Sequence, residues 1–253
     1  MNELEVNTVH VWQLFLALDP DMIRCGRELL SQDEIERADR FHFERDRQRF
    51  TAARFGMRMI LSSYLGLEPK AVAFSYAANG KPALAASLGR SDIQFNLSHS
   101  HEYALLAVAR TTRLGADIEF IKQDVAMDEI ASSFFSPDEC RTVASLPAEN
   151  RLHAFYTCWT RKEAYLKAKG VGLSLAMNSF DVACAPSIPP ALLRVDGCLE
   201  EPSRWRVYDL ETPRQYVAAL VIEGEHHRLI RREWKPEYVS RNRWQQRLPH
   251  LVP

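Results

Sequence analysis

Asp117 and Glu119 flank Ile118. Side chains alternate along an extended strand, so the two carboxylates point to one face and the isoleucine to the other. Such a face can hold a cation, since a few carboxylates with waters and phosphate oxygens completing the shell is how proteins usually bind Mg2+. The third candidate carboxylate is Glu163. It lies one helical turn after Trp159 and one before Lys167, so Glu163 and Lys167 share a helical face as an acid and base pair. Asn96-Leu97-Ser98-His99-Ser100-His101 gathers hydroxyls and imidazoles where a strand becomes a turn, which suits a phosphate cradle. Neither serine stands out as a nucleophile, because no G-x-S-x-G elbow surrounds it. His99 and His101 alternate onto one face, but a zinc site would need further ligands. Lys81, in the turn signature Asn79-Gly80-Lys81-Pro82, is a cation that could meet a phosphate. Arg37, Arg40, Arg45, Arg47, Arg49, Arg54 and Arg58 carry guanidinium forks that match phosphate oxygens. Each signal also has a plainer reading: a solvated strand edge, a surface ion pair, a hydrogen-bonded turn, and a salt-bridged helix with Glu36, Asp39, Glu44 and Asp46.

The elements that must position these residues follow from periodicity and caps. Residues 9–18 read as a strand ended by the Asp19-Pro20 breaker. Ser31 with Glu34 is a capping box that starts a helical region reaching about Leu65, with a break near His42. Residues 72–76 read as a strand and 77–82 as a turn, and Ile93, Phe95 and Leu97 alternate as in a half-buried strand. Strands over 103–110 and 116–120 complete an antiparallel group. Helices resume over 127–134, then at Ser136-Pro137-Asp138-Glu139, a second capping box with Pro at the first helical position. Leu152, Phe155, Tyr156, Trp159 and Leu166 recur at helical spacing over 149–169, and Gly170 supplies the stop. Strands are expected at 180–184, 205–210 and 215–222, with a Pro-rich loop over 185–190. The order predicts two similar α+β halves meeting near Leu114, although no repeat is visible residue by residue. The boundaries are 1–114, 115–223 with the acid cluster, and a basic, aromatic tail over 224–253 that packs on the body or hangs free.

The 253 residues, 46% hydrophobic and 26% charged with 10 Gly and 13 Pro, describe an ordinary globular chain of one large or two small domains. The longest wholly apolar runs, 103–109 and 216–222, are far short of the roughly 18 residues needed to cross a bilayer. The N-terminus has no basic and apolar secretory pattern, so a soluble cytoplasmic protein is expected. A net charge of −1 gives no global pull toward nucleic acid or anionic lipid, though Arg40 to Arg58 and Arg228 to Arg247 are locally basic. Five scattered cysteines without a C-x-x-C pair suit free thiols in a reducing compartment.

Asn79-Gly80-Lys81-Pro82, Phe95-Asn96-Leu97-Ser98-His99-Ser100, Leu114-Gly115-Ala116-Asp117-Ile118-Glu119, and Trp159-Thr160-Arg161-Lys162-Glu163-Ala164 running through Lys167 to Gly170-Val171-Gly172-Leu173 together resemble the 4'-phosphopantetheinyl transferases of the long, two-half Sfp type. The resemblance covers roughly residues 9–222. It implies a pseudo-twofold pair of α+β halves in a monomer, with coenzyme A between them. It implies transfer of phosphopantetheine from coenzyme A to a serine of an apo acyl or peptidyl carrier protein, releasing adenosine 3',5'-bisphosphate. Asp117, Glu119 and Glu163 would hold Mg2+, and Lys167 would reach the pyrophosphate. Ser98 and His99 would contact coenzyme A phosphates, Lys81 would lie at the nucleotide end, and Arg37 and Arg49 are candidates for the 3'-phosphate. Glu163 is the candidate base for the carrier serine. Glu139 falls where the family tends to carry a glutamate, a second catalytic candidate, though its capping box explains it without catalysis. Ala116 departs from the branched residue usual before the aspartate. The carriers implied serve fatty-acid, polyketide or nonribosomal-peptide synthesis, with no nucleic acid or membrane partner. Two other readings compete: a nucleic-acid binder using the basic stretches, with strongly salt-dependent binding, and a Mg2+-dependent phosphate hydrolase or nucleotidyl enzyme using the same carboxylates.

Overall fold

The structure is a computed structural model and describes residues 4–77 and 80–236. Asn79 of the turn signature and the tail beyond residue 236 lie outside these residues. Strand β1 (Thr8–Phe15) stops short of the expected Leu18, because the chain bends into a tight turn closed by the Leu18 N–H on the Leu16 carbonyl at 2.9 Å. Asp19-Pro20 does more than break the strand. The Asp19 carboxylate accepts the Met22 N–H at 2.9 Å and Pro20 takes the first helical position, where no N–H is needed, so helix α1 (Pro20–Glu28) begins there. The two capping boxes start α2 (Gln32–Asp39) and α5 (Pro137–Ser145) as expected. Long helix α3 (Glu44–Leu65) follows the break near His42 and ends at Gly66, whose φ of 66° is the left-handed conformation that glycine adopts without a Cβ clash.

A short hairpin of β2 (Phe74–Tyr76) and β3 (Pro82–Leu84) precedes a longer one of β4 (Ile93–Ser100) and β5 (Tyr103–Arg110). The second half opens with β6 (Leu114–Phe120), then α4 (Met127–Phe134), α5 and α6 (Ala148–Lys169), which stops at left-handed Gly170. It closes with β7 (Phe180–Val182), β8 (Leu192–Val195), the single turn α7 (Glu201–Arg204), β9 (Trp205–Asp209) and β10 (Tyr216–Glu223). Helices α1 and α7 and strand β8 go beyond the sequence reading.

The halves share one topology. In the first, β1 pairs with β5 and β5 with β4; in the second, β6 pairs with β10 and β10 with β9, all antiparallel. Each half packs a 22-residue helix on its sheet, α3 in one and α6 in the other. A third apolar cluster joins them, with Val9, Val11, Leu105 and Ala107 of the first sheet against Leu114, Ile118, Leu220 and Ile222 of the second. Part of the tail is a strand: β11 (Arg228–Trp234) pairs parallel with β1. Trp234 at its end is buried, edge-to-face on Phe55 with ring centroids 5.3 Å apart. All five cysteines are free thiols. Among the described residues no helix is long and apolar enough to cross a membrane.

Candidate active site

Strand β6 and helix α6 each contribute half of the acid cluster, and Gly115 sets how closely they approach. A Cβ there would lie 2.8 Å from the carbonyl carbon of Lys167 and closer still to the Ala164 carbonyl and the Ala168 nitrogen. Without that Cβ, the α6 backbone rests directly on β6. Glu163 and Lys167 of the helix are thereby brought beside Asp117 and Glu119 of the strand.

Asp117 is only 2% exposed. Its Oδ1 accepts from the Lys167 ammonium at 2.5 Å and from the Ser98 hydroxyl at 2.8 Å, while Lys167 also donates to Ser98 Oγ at 3.1 Å. The other oxygen, Oδ2, is buried without a hydrogen-bond partner. An ionised carboxylate oxygen left so is costly unless a cation meets it. Ser100 donates to Glu119 Oε2 at 2.7 Å. Burial, then the neighbouring Asp117 charge, push the Glu119 carboxyl up to about 7. Burial also raises Glu163, against the pull of Lys167 and with the push of Asp117. Burial disfavours the charge on Lys167, but Asp117, Glu163 and Glu119 outweigh it and hold the ammonium above the usual lysine range. These carboxylates are therefore a site of excess negative charge, with Lys167 as the counter-ion. In this arrangement they do not converge as a closed metal shell: among the described residues no group of three or more His, Cys, Asp or Glu does. The donor set nevertheless fits a hard divalent cation, since the oxygens are hard and one is buried without a partner.

A cleft of about 290 Å³ adjoins the cluster and is lined by Arg37, Lys81, Asn96, His99, Glu163 and Lys167 among others. Of these, Arg37, Lys81, His99 and Lys167, together with Arg54, are residues expected to meet phosphate from the sequence. Lys81 reaches across the halves and donates to the Leu114 carbonyl at 3.2 Å and to the Lys167 carbonyl at the C-terminal end of α6. Burial, then the Lys167 and Arg113 charges, lower Lys81 to about 8. His99 faces the cleft on an exposed position, where desolvation by the walls and the charges of Lys167 and Arg37 hold its imidazole below its ordinary value. Arg37 is exposed at the rim.

Other candidates sit differently. Ser98 is buried, hydrogen-bonded to Asp117 and Lys167, and is not among the residues lining the cleft. Arg49 does not line the cleft; its guanidinium lies 3.6 Å from Asp46, and only its charge reaches His99. His101 does not join His99: it takes a turn with φ of 52° and stacks on Phe120 at 4.7 Å. Glu139 is not brought to the cleft either. It caps α5 through the Ser136 N–H, accepts the Val182 N–H at 2.8 Å, and takes the buried Lys162 ammonium at 2.7 and 2.6 Å. That knot fixes α6 one residue before Glu163, a positioning role. Arg54 and Arg58, read as phosphate binders or solvated cations, are buried and share Glu34, each at 2.6 Å, although Arg54 also lines the cleft wall.

Sequence reasoning gave no role of their own to Gly115 and Lys162, and read Asn96 and Ser100 only as parts of a phosphate-cradling turn. Parity carried a usable signal for the last two, because Asn96, Ser98 and Ser100 must share a face of β4.

Two like α+β halves thus set a buried acid cluster and its lysine beside a cleft lined by Arg37, Lys81 and His99. Residues 20–111 match the family described as 4'-phosphopantetheinyl transferase, N-terminal, and residues 113–221 match the 4'-phosphopantetheinyl transferase superfamily. The 4'-phosphopantetheinyl transferase HetI of Nostoc sp. is 37% identical over 216 residues, spanning 85% of this chain and 88% of HetI. A 4'-phosphopantetheinyl transferase of Bacillus subtilis is 31% identical over 182 residues, 72% of this chain and 78% of that protein. The solved holo-[acyl-carrier-protein] synthase of Thermotoga maritima overlays 46% of this chain and 65% of its own at 17% identity, with a TM-score of 0.34. The chain belongs to the 4'-phosphopantetheinyl transferase superfamily and is an enzyme of that class.

Proposed function

We propose that this enzyme moves phosphopantetheine from coenzyme A to the serine of an apo acyl or peptidyl carrier protein, with Mg2+ held by Asp117, Glu119 and Glu163. The observation that carries this reading is the buried, unpartnered Asp117 Oδ2 beside two further carboxylates at the end of a cationic cleft. Bound there, a magnesium ion supplies positive charge that offsets the charge building on the pyrophosphate. Lys167 now neutralises Asp117, and its flexible four-carbon stem lets the ammonium swing to pyrophosphate oxygens, where it acts as a point charge. Lys81, His99 and Arg37 line the path that the rest of coenzyme A would follow. The carrier serine attacks the pantetheine-side phosphorus, the bond from that phosphorus to the bridging oxygen breaks, and adenosine 3',5'-bisphosphate leaves with the electron pair. Glu163, which lines the same cleft, would take the serine proton, directly or through a metal-bound water. Free thiols throughout fit a reducing cytoplasm.

The test is intact-mass spectrometry of apo carrier proteins of fatty-acid, polyketide and peptide synthesis, incubated with the enzyme, coenzyme A and Mg2+, with an EDTA control. A gain of one phosphopantetheine that EDTA abolishes is expected, and Glu163→Gln loses it while keeping the wild-type fold. Undiminished transfer by Glu163→Gln removes the central role given to that residue. No gain on any of the three carriers overturns the transfer reading and favours a Mg2+-dependent phosphate hydrolase.

A further inference from the structure

Strands β4 and β6 lie alongside each other at the seam between the halves, yet they belong to different sheets. Side chains span the gap where a backbone ladder would otherwise run. Asn96 Oδ1 accepts the Ala116 N–H at 2.7 Å, and Ser98 donates to Asp117. Ser100 does two things at once: its Oγ accepts the Phe120 N–H at 3.1 Å and donates to Glu119 Oε2 at 2.7 Å. A hydroxyl has a single proton. With the Phe120 amide on one lone pair, the hydroxyl is oriented, and its proton is directed to the carboxylate.

We infer that Ser100 is a positioning residue for the cation site, a hydroxyl lent by the first half that holds a carboxylate of the second in the orientation needed to ligate. This rests on the magnesium reading proposed above. The backbone amide of Phe120 and the carboxylate of Glu119 lie on neighbouring residues of one strand, so the serine ties the side chain to its own backbone as well as to β4. Ser98 makes the matching contact to Asp117, but it also binds Lys167, so its removal would disturb the phosphate end too. Ser100 has no such second duty in the cleft and isolates the effect. Outer partners of metal ligands are typically worth 10- to 100-fold in metal affinity.

The experiment is isothermal titration of Mg2+ into wild type, Ser100→Ala and Ser100→Thr without carrier protein. Coenzyme A affinity in the absence of metal and melting temperature are measured on the same preparations. Ser100→Ala is expected to weaken Mg2+ by ~10- to 100-fold with coenzyme A affinity unchanged, and Ser100→Thr, which keeps the hydroxyl, to restore Mg2+ binding. The inference is overturned by wild-type Mg2+ affinity in Ser100→Ala, by parallel loss of Mg2+ and coenzyme A affinity, or by a threonine variant no better than alanine. A wild-type protein that binds no Mg2+ overturns the magnesium reading and this inference with it, and is thereby distinguished from a failure confined to Ser100.

Discussion

Placing a single methyl group on Gly115 tests how the site is assembled. A Cβ at that position meets the Lys167 carbonyl carbon at 2.8 Å, and the Ala164 carbonyl and Ala168 nitrogen at less. Ordinary carbon contacts begin near 3.5 Å, so relief needs a displacement of about 0.7 Å or more. All three neighbours are backbone atoms of one helix, and no side-chain rotation can provide that space. Helix α6 must move off β6 as a unit. Asp117 and Glu119 stay with the strand while Glu163 and Lys167 leave with the helix, so the acid cluster is pulled apart. Overpacking costs about 1–3 kcal/mol of stability, and a misplacement near 1 Å in a catalytic constellation costs on the order of 100-fold in rate. Gly115→Ala should therefore lower the urea midpoint and slow carrier loading, followed by intact mass, by about two orders of magnitude at temperatures where the variant is folded. Gly56→Ala is the control. Its Cβ would meet side-chain atoms instead, Leu14 Cδ2 most closely and the Trp234 ring at 3.1 Å in the core of the first half, so stability falls while the acid cluster stays assembled and loading by the folded variant is kept. Wild-type loading and an unchanged urea midpoint in Gly115→Ala would refute the account of the strand–helix contact.

Lys162→Met should destabilise the protein by about 3–5 kcal/mol, because it leaves the Glu139 carboxylate buried without its cation. Adding Glu139→Gln should recover part of that loss, and a double variant as unstable in urea as the sum of both single ones would argue that the two residues do not act as a pair. His10 is 1% exposed and shares a 2.6 Å hydrogen bond with Tyr64. Burial, then the Arg232 charge, lower it to about 4 from 6.5. Between those values the unfolded chain binds a proton that the folded one refuses, so stability is present above pH 6.5 and falls as pH drops through the window, by about 3 kcal/mol near pH 4. Urea midpoints of His10→Gln should lose less between pH 7 and 4.5 than those of wild type. An identical loss in both proteins would exclude His10 as the source.

The chemistry-bearing residues were legible because strand alternation and helical spacing set their faces, and both periodicities are local. Both capping boxes and the Gly170 stop were legible for the same reason. What could not be read was partner choice over long sequence separations. Glu34 looks like a cap, which it is, but its second oxygen-bearing role is to hold Arg54 and Arg58 in the interior, and nothing local distinguishes those arginines from solvated ones. Ser98 illustrates the same limit at the site, since its buried position between Asp117 and Lys167 exists only once the halves are docked. Strand β11 needed the free edge of β1, which no window of sequence displays.

The hidden repeat explains why one half carries the acid cluster. Arg58 stands in α3 where Lys162 stands in α6, each fourteen residues from the start of its helix. Each is held by a glutamate at the third position of a capping box on the preceding element, Glu34 in one half and Glu139 in the other. Gly66 and Gly170 then end the two helices alike. The same correspondence sets Met59 opposite Glu163 and Ser63 opposite Lys167, so the first half keeps the anchor and lacks the acid and the base. A glutamate and a cation that position a helix are thus separable from the residues that use the position. Glu139 is tied to Lys162 and the α5 cap while Glu163, one residue further along α6, lines the cleft, although both are glutamates in motifs of the same half.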